Sequence, residues 1–100
     1  MAMIGTCTMA GGSGDNYEFN VYASGVVFND FIPGIFVVCK DDEVLLVGES
    51  DHVDHALSRH EKKPELEERG ANRICFHRVA NPAKRKAAME DILKNCSPAL

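Results

Sequence analysis

The chain has 100 residues, 45% of them apolar, and a formal net charge of −4 from 15 acidic and 11 basic side chains. This length provides one hydrophobic core, and the acidic balance disfavours a protein that binds mainly by neutralising nucleic-acid phosphates. No apolar run reaches the roughly 20 residues that a membrane-spanning helix needs. The first 15 residues lack the basic and apolar stretches of a secretion signal. We therefore expect a cytoplasmic protein that contacts no membrane.

The cysteines are spaced too irregularly for a zinc framework, because no C-x2-C pair occurs. They are Cys7, Cys39, Cys75 and Cys96. Two of them lie in apolar, strand-like runs, where a free thiol packs as a small hydrophobic side chain. The sequence therefore favours reduced, buried thiols over two disulfides.

Residues 1–16 contain four glycines and show no sustained hydrophobic period. This predicts a flexible arm that pairs at most briefly as a strand before Gly11. From Tyr17 the alternation of apolar and polar residues predicts a half-buried strand, which begins a single domain over 17–100. A connection over 23–33 follows, with four apolar anchors: Val26, Val27, Phe28 and Phe31.

Two β-rich runs, 34–39 and 44–47, flank a polar turn and predict an antiparallel hairpin. Apolar spacing then predicts a helix over about 51–62 with Ser50 as its N-cap. A short helix over 65–69, a strand over 73–79 and a helix over 82–96 complete the chain. The buried side of the last helix is expected to hold Ala83, Ala87, Met89, Ile92, Leu93 and Cys96. This order predicts an α+β domain, with an antiparallel or mixed sheet flanked by helices.

Several short motifs together resemble the GIY-YIG nuclease family. They are Gly34-Ile35-Phe36, Leu46-Val47-Gly48, Glu49-Ser50-Asp51 and His60. The later segments are similar to a small bacterial branch of that family: Gly70-Ala71-Asn72-Arg73, His77-Arg78, Ile92-Leu93 and Pro98. The motifs cover most of residues 17–100, so the resemblance implies a GIY-YIG-like fold with an extra N-terminal strand.

The resemblance also implies a chemistry, which this chain departs from. Family members cleave phosphodiesters with a divalent metal, usually magnesium, using two tyrosines, an arginine and a glutamate. Here those positions hold Phe36, Leu46, Ala56 and Met89. Since none of the four can hold a cation or an oxyanion, we expect a catalytically inactive binding or interaction module. The former groove is then lined by Phe36, Leu46, His52, His55, Ala56, Arg59, His60 and Met89.

Two alternatives remain open at this point. In the first, the chain is a divergent Mg²⁺-dependent endonuclease in which Arg59 and Glu90 replace the missing pair. In the second, His52 and His55 hold a transition metal through their i, i+3 spacing. An exposed polar helix face explains the two histidines more simply, so no metal or other cofactor is expected.

The charge distribution bears on the partner. Residues 1–50 contain 7 acidic and 1 basic side chains, whereas the second half carries a basic cluster. Its members are Arg73, Arg78, Lys84, Arg85 and Lys86. The cluster predicts either weak contact with nucleic-acid phosphates or a solvated face, and it holds no aromatic residues for stacking on bases. A protein partner is therefore favoured over nucleic acid.

Overall fold

A computed structural model describes residues 3–23 and 32–100. The four anchors expected at 26, 27, 28 and 31 lie outside the described residues. Five strands form one antiparallel sheet in the order β1-β2-β5-β3-β4, and three helices flank it. The elements are β1 (Met3–Ala10), β2 (Asn16–Ala23), β3 (Gly34–Lys40), β4 (Glu43–Ser50), α1 (Val53–Ser58), α2 (Lys63–Glu68), β5 (Arg73–Arg78) and α3 (Pro82–Leu93). The α+β prediction is confirmed. In the described part of the chain, no helix is long and apolar enough to cross a membrane.

The sheet separates two hydrophobic clusters because successive side chains of a strand point to opposite faces. On the face that we call the α1 face, Phe36 and Val38 pack with Val53 of α1 and Leu66 of α2. The opposite α3 face carries a second cluster, which contains Phe19, Val21, Ile35, Val37, Cys39, Cys75 and Ile92. Helices therefore cover the sheet on both sides.

The β3–β4 hairpin forms as predicted, around a turn in which Asp41 adopts a φ of 53°. Aspartate tolerates this left-handed conformation better than most residues. The pairing register shifts by one residue next to Cys39, which leaves Leu45 as the extra residue of a β-bulge. As a result, the adjacent residues Leu45 and Leu46 both enter the cluster on the α1 face.

Helix α1 is shorter than its sequence pattern predicts, whereas α2 begins two residues before the predicted 65–69 and ends one residue earlier. The prediction for Ser50 was wrong, because this residue ends β4 and its hydroxyl accepts a hydrogen bond from the His52 amide instead of capping the helix. Helix α1 ends at Ser58, four residues early. Gly70 follows α2 with a φ of 79°, and the amides of Gly70 and Ala71 close a Schellman motif.

The expectation of a loose N-terminal arm is corrected by strand β1. Met3–Ala10 pairs with β2 along nearly its whole length. The glycine-rich turn that follows β1 is anchored to the end of α3. The Gly12 amide donates to the Asp91 carbonyl at 2.9 Å, and the Asn95 side chain donates to the Gly11 carbonyl at 2.9 Å. These contacts link segments about 80 positions apart, so local sequence patterns do not reveal them.

Helix α3 starts as predicted, with the Asn81 side chain accepting from the Lys84 amide at 3.0 Å. Its buried side differs from the prediction. Ile92 is buried, and Ala88, Met89 and Cys96 pack against the same cluster, but Ala83, Ala87 and Leu93 are exposed. Arg85 and Asp91 are buried instead, at 5% and 9% exposure. A search for apolar spacing misses them because both are charged.

Candidate functional site

The two positions at which the resemblance places tyrosines are occupied by core side chains. Phe36 is 2% exposed and Leu46 is 7% exposed, and both belong to the cluster on the α1 face. Ala56 of α1 packs against the same cluster. The Phe36 ring lies so close over Gly48, its cross-strand partner, that a Cβ atom at Gly48 would overlap it. These side chains supply no polar atom to a cation or a phosphate.

The polar residues predicted for this groove lie around α1. His60 is half-buried and packs edge-on against the Phe36 ring, with 6.4 Å between the ring centroids. Its Nδ1 atom accepts a hydrogen bond from the Lys62 amide at 3.0 Å, so the neutral imidazole carries its proton on Nε2. His52 is half-buried, whereas His55 and Arg59 are exposed. The His60 ring therefore contacts the buried phenylalanine directly.

The structure does not bring Met89 together with the other groove residues. Met89 packs against the cluster on the α3 face, whereas Phe36 and Leu46 belong to the cluster on the α1 face. The same separation applies to the alternative catalytic pair. Arg59 is the C-cap residue of α1 on one side of the sheet, and Glu90 is exposed on α3 on the other side.

The predicted basic cluster is also divided. Arg73 and Arg78 stand at the two ends of β5, about 17 Å apart by strand geometry. Arg85 is buried on the α3 face, where its Nε atom donates to the Glu49 carboxylate at 2.5 Å. Because this ion pair occupies the guanidinium, Arg85 is not available to a phosphate, and its assignment to a contact surface is corrected. Lys84 and Lys86 remain exposed.

An open cleft of about 580 Å³ lies on the α3 face, where the sequence pattern predicts no site. It lies between the turn after β1, the strands β2 and β5, and helix α3. Its lining includes Ser13, Tyr17, His77, Glu90 and Asp91. The glycine at 11 fits a close approach here, since a Cβ atom at Gly11 would overlap the Asp91 carboxylate. The sequence pattern was interpreted only as a flexible arm.

Asp91 is the best-connected polar group of this cleft. Its carboxylate accepts hydrogen bonds from the Ser13 amide at 2.8 Å, the Ser13 hydroxyl at 2.6 Å and the Tyr17 hydroxyl at 2.7 Å. The hydrogen bonds from Ser13 and Tyr17 hold the pKa of Asp91 below its ordinary value. The hydrogen bond that Tyr17 donates to Asp91 raises the pKa of Tyr17 to about 12. The Asp91 carboxylate therefore links the turn after β1 to α3 by hydrogen bonds.

The cleft contains a serine, a histidine and an aspartate but not the geometry of a hydrolytic triad. The Ser13 hydroxyl donates to Asp91 and not to an imidazole. The His77 Nδ1 atom lies 2.7 Å from the Glu18 carbonyl, to which it donates, and the ring contacts Tyr17 and Phe19 at centroid distances of 5.9 and 5.4 Å. In a triad the histidine would receive the serine proton and be oriented by the aspartate.

Three thiols line a second cavity of about 200 Å³ on the α3 face. They belong to Cys7, Cys39 and Cys75, and the Sγ atoms of Cys7 and Cys75 are 3.9 Å apart. All four cysteines are free, as predicted. Burial raises the pKa of Cys7 to about 11, and hydrogen bonding with Cys39 together with burial raises that of Cys75. Neutral thiols are poor nucleophiles, so these two act as core side chains.

Within residues 3–23 and 32–100, no group of three or more histidine, cysteine, aspartate or glutamate side chains could hold a metal ion. His52 and His55 are accordingly not joined by a third such ligand. No protein-family model, curated protein or solved structure matches the chain.

The hydrogen bonds to Asp91 make the stability of the fold depend on pH. A lowered folded pKa stabilises the fold above the ordinary aspartate value of 3.8, and this contribution is lost as the pH falls through the lowered value. We expect Asp91→Asn to melt at a lower temperature than the wild type at pH 7, and the gap to narrow below pH 3.8. Circular dichroism melts across the pH range measure this difference in melting temperature. Asp15→Asn, an exposed carboxylate on the same turn, is the control; a gap that stays constant to about pH 2.5 would contradict the assignment.

Proposed function

We propose that this chain is a catalytically inactive, GIY-YIG-like binding module whose partner is a protein. The elements from β3 to α3 follow the order of hairpin, helix, short helix, strand and helix that the resemblance predicts. Strands β4, β3 and β5 are neighbours in the sheet, and β1 and β2 extend it beyond β5. This arrangement supports the proposal, with two strands added on the N-terminal side instead of the one that was expected.

The observation that carries the proposal is the placement of the side chains at the expected catalytic positions. Metal-dependent phosphodiester cleavage needs an oxygen ligand for the cation and a positive charge beside the developing oxyanion, both within reach of one phosphate. Phe36 and Leu46 are buried in the apolar cluster of the α1 face. Arg59 and Glu90 belong to helices on opposite sides of the sheet, which argues against their acting together on one phosphate.

The charge of the surface near the expected groove supports a protein partner. Residues 51–68, which contain α1 and α2, carry six acidic and three basic side chains. The α2 carboxylates of Glu65, Glu67 and Glu68 are exposed. A duplex would bring phosphates against this acidic surface without releasing counterions, so the electrostatic contribution that drives most nucleic-acid binding is absent.

A cleavage assay tests the loss of catalysis. The full chain is incubated with Mg²⁺ or Mn²⁺ and with single-stranded, duplex or branched DNA, beside Arg59→Ala and Glu90→Ala. Glu68→Ala, an exposed glutamate at the end of α2, is the matched control. We expect the same background in all four proteins, because neither substituted residue is close to a complete site.

Metal-dependent cutting by the wild type that disappears in Arg59→Ala or Glu90→Ala, but not in Glu68→Ala, would establish the divergent endonuclease instead. The same DNAs, labelled, test the partner class. Binding in about 0.15 M salt that Lys84→Glu and Lys86→Glu abolish would replace the protein partner with nucleic acid.

A further inference from the structure

The two edges of the sheet differ in whether another segment of the chain pairs with them. At the β4 edge, the C-terminal residues Ala99 and Leu100 donate their amides to the carbonyls of Val44 and Leu45 at 3.2 and 2.9 Å. At the β1 edge, no strand among residues 3–23 and 32–100 pairs with the side of β1 that faces away from β2. An unpaired edge offers a row of N–H and C=O groups to another strand.

Strand β1 lacks most of the features that keep natural edge strands apart. It is eight residues long, and its sequence MIGTCTMA contains no proline and no charged side chain. The first charged side chain of the chain is Asp15. Met3 and Ile4 are also 52% and 57% exposed. Charges, prolines and short length are the usual protections of an edge, and here only a bulge at Ile4 is present.

The regular part of β1 is complementary to itself. In an antiparallel pair of identical strands, a two-fold axis runs through the sheet, so a residue must face its counterpart on the same side. An axis at Cys7 places Thr6 of each copy opposite Thr8 of the other, which gives two threonine pairs. It also places Gly5 of each copy opposite Met9 of the other. Thr6 and Thr8 are exposed, and opposed threonines are a favourable cross-strand pair.

The glycine in this strand has a matching role. A Cβ atom at Gly5 would meet nothing within 4 Å, so the space beside it is open to the Met9 side chain of the second copy. The axis at Cys7 pairs residues 5–9 of the two copies, which all lie on the regular side of the bulge at Ile4. An axis at Thr6 would set Met3 against Met9, whose side chains belong to opposite faces.

We propose that β1 pairs antiparallel with β1 of a second copy of this chain, about a two-fold axis at Cys7, to form a continuous ten-stranded sheet. One strand pair buries less than the roughly 1,200 Å² of a standard specific interface, so the dimer is weak and depends on concentration, with a Kd on the order of 10 μM. This pairing is independent of the function proposed for the α1 face.

Sedimentation velocity of the full chain tests the pairing. The mass is expected to rise from 11.0 kDa towards twice that value as the concentration increases from about 1 to about 300 μM. Thr6→Lys with Thr8→Lys places ammonium groups opposite each other and should weaken association at least tenfold. The matched control is Asn16→Lys with Asn20→Lys, which adds the same charge to exposed positions of the same face on β2.

A charge-pair variant tests the register. In T6K/T8E each new ammonium lies opposite a new carboxylate of the second copy, so association should be at least as strong as in the wild type. Circular dichroism melts check that each variant folds. A monomer at about 300 μM, a control that dissociates as the double-lysine variant does, a T6K/T8E protein as weak as T6K/T8K, or assemblies larger than two copies would each overturn the proposal.

Discussion

Glu49→Ala is expected to lower the free energy of unfolding by about 3 kcal/mol, because it leaves the buried Arg85 guanidinium without its counter-charge. The Arg85 side chain is 7% exposed, and its other hydrogen bond is a long one, 3.4 Å from Nη1 to the Val79 carbonyl. Urea unfolding monitored by circular dichroism measures the change. Glu43→Ala, at the exposed start of the same strand, is the control and should change stability by less than about 0.5 kcal/mol.

The two members of this ion pair should not be equivalent. The Glu49 side chain is 27% exposed, so water can solvate its carboxylate when the arginine is removed. Arg85→Met should therefore cost only about 1 kcal/mol. The double variant Glu49→Leu, Arg85→Met should recover most of the loss caused by Glu49→Ala, since it buries no unpaired charge. Equal and additive losses from the two single variants would show that the pair is not coupled.

Gly34→Ala is expected to destabilise the fold by about 3 kcal/mol, the second large effect. Its new Cβ atom would overlap the backbone carbonyl of His77 and lie 2.5 Å from Cε1 of Phe76, both on β5. A backbone atom in a central strand cannot move away without breaking the ladder between β3 and β5. Thermal and urea unfolding are the measurements.

Gly48→Ala provides the comparison for this substitution. The three atoms nearest to its Cβ atom would all belong to the ring of Phe36, a side chain that a second substitution can make smaller. The loss should therefore be smaller, about 2 kcal/mol, and Phe36→Leu should relieve part of it. Phe36→Leu should give no relief to Gly34→Ala. If Phe36→Leu gives the same relief in both backgrounds, the contact between Phe36 and Gly48 is not the cause.

Much of the fold could be predicted from local patterns. Four features depend only on neighbours within a few residues. They are the alternation from Tyr17, the polar turn of the hairpin, the helix start at Asn81-Pro82 and the helix end at Gly70. Strand β1 was predicted only as a brief strand in a flexible arm, because its glycine and threonines give no strong alternation. Its position depends on long-range pairing with β2 and on Cys7 and Met9 packing against the α3-face cluster.

The candidate sites were less predictable because they depend on which face of the sheet each helix covers. The spacing of apolar residues identifies α3 as a helix but does not assign it to the face opposite Phe36, so Met89 was placed in the wrong cluster. Arg85 was missed as a core residue because a charged side chain carries no hydrophobic signal. The hydrogen bonds of Asp91 to Ser13 and Tyr17 span 78 and 74 positions of the sequence. The glycines at 11 and 12 were interpreted only as part of a flexible arm.

The proposed function requires that the α1 face hold no cation site for phosphodiester chemistry. Heteronuclear NMR spectra of the isotope-labelled chain, titrated with paramagnetic Mn²⁺, measure this directly, because a bound ion broadens the amide signals around it. We expect no saturable broadening centred on the amides of Phe36, Leu46 and Ala56. Saturable broadening centred there, reversed by excess Mg²⁺, would contradict the proposed function.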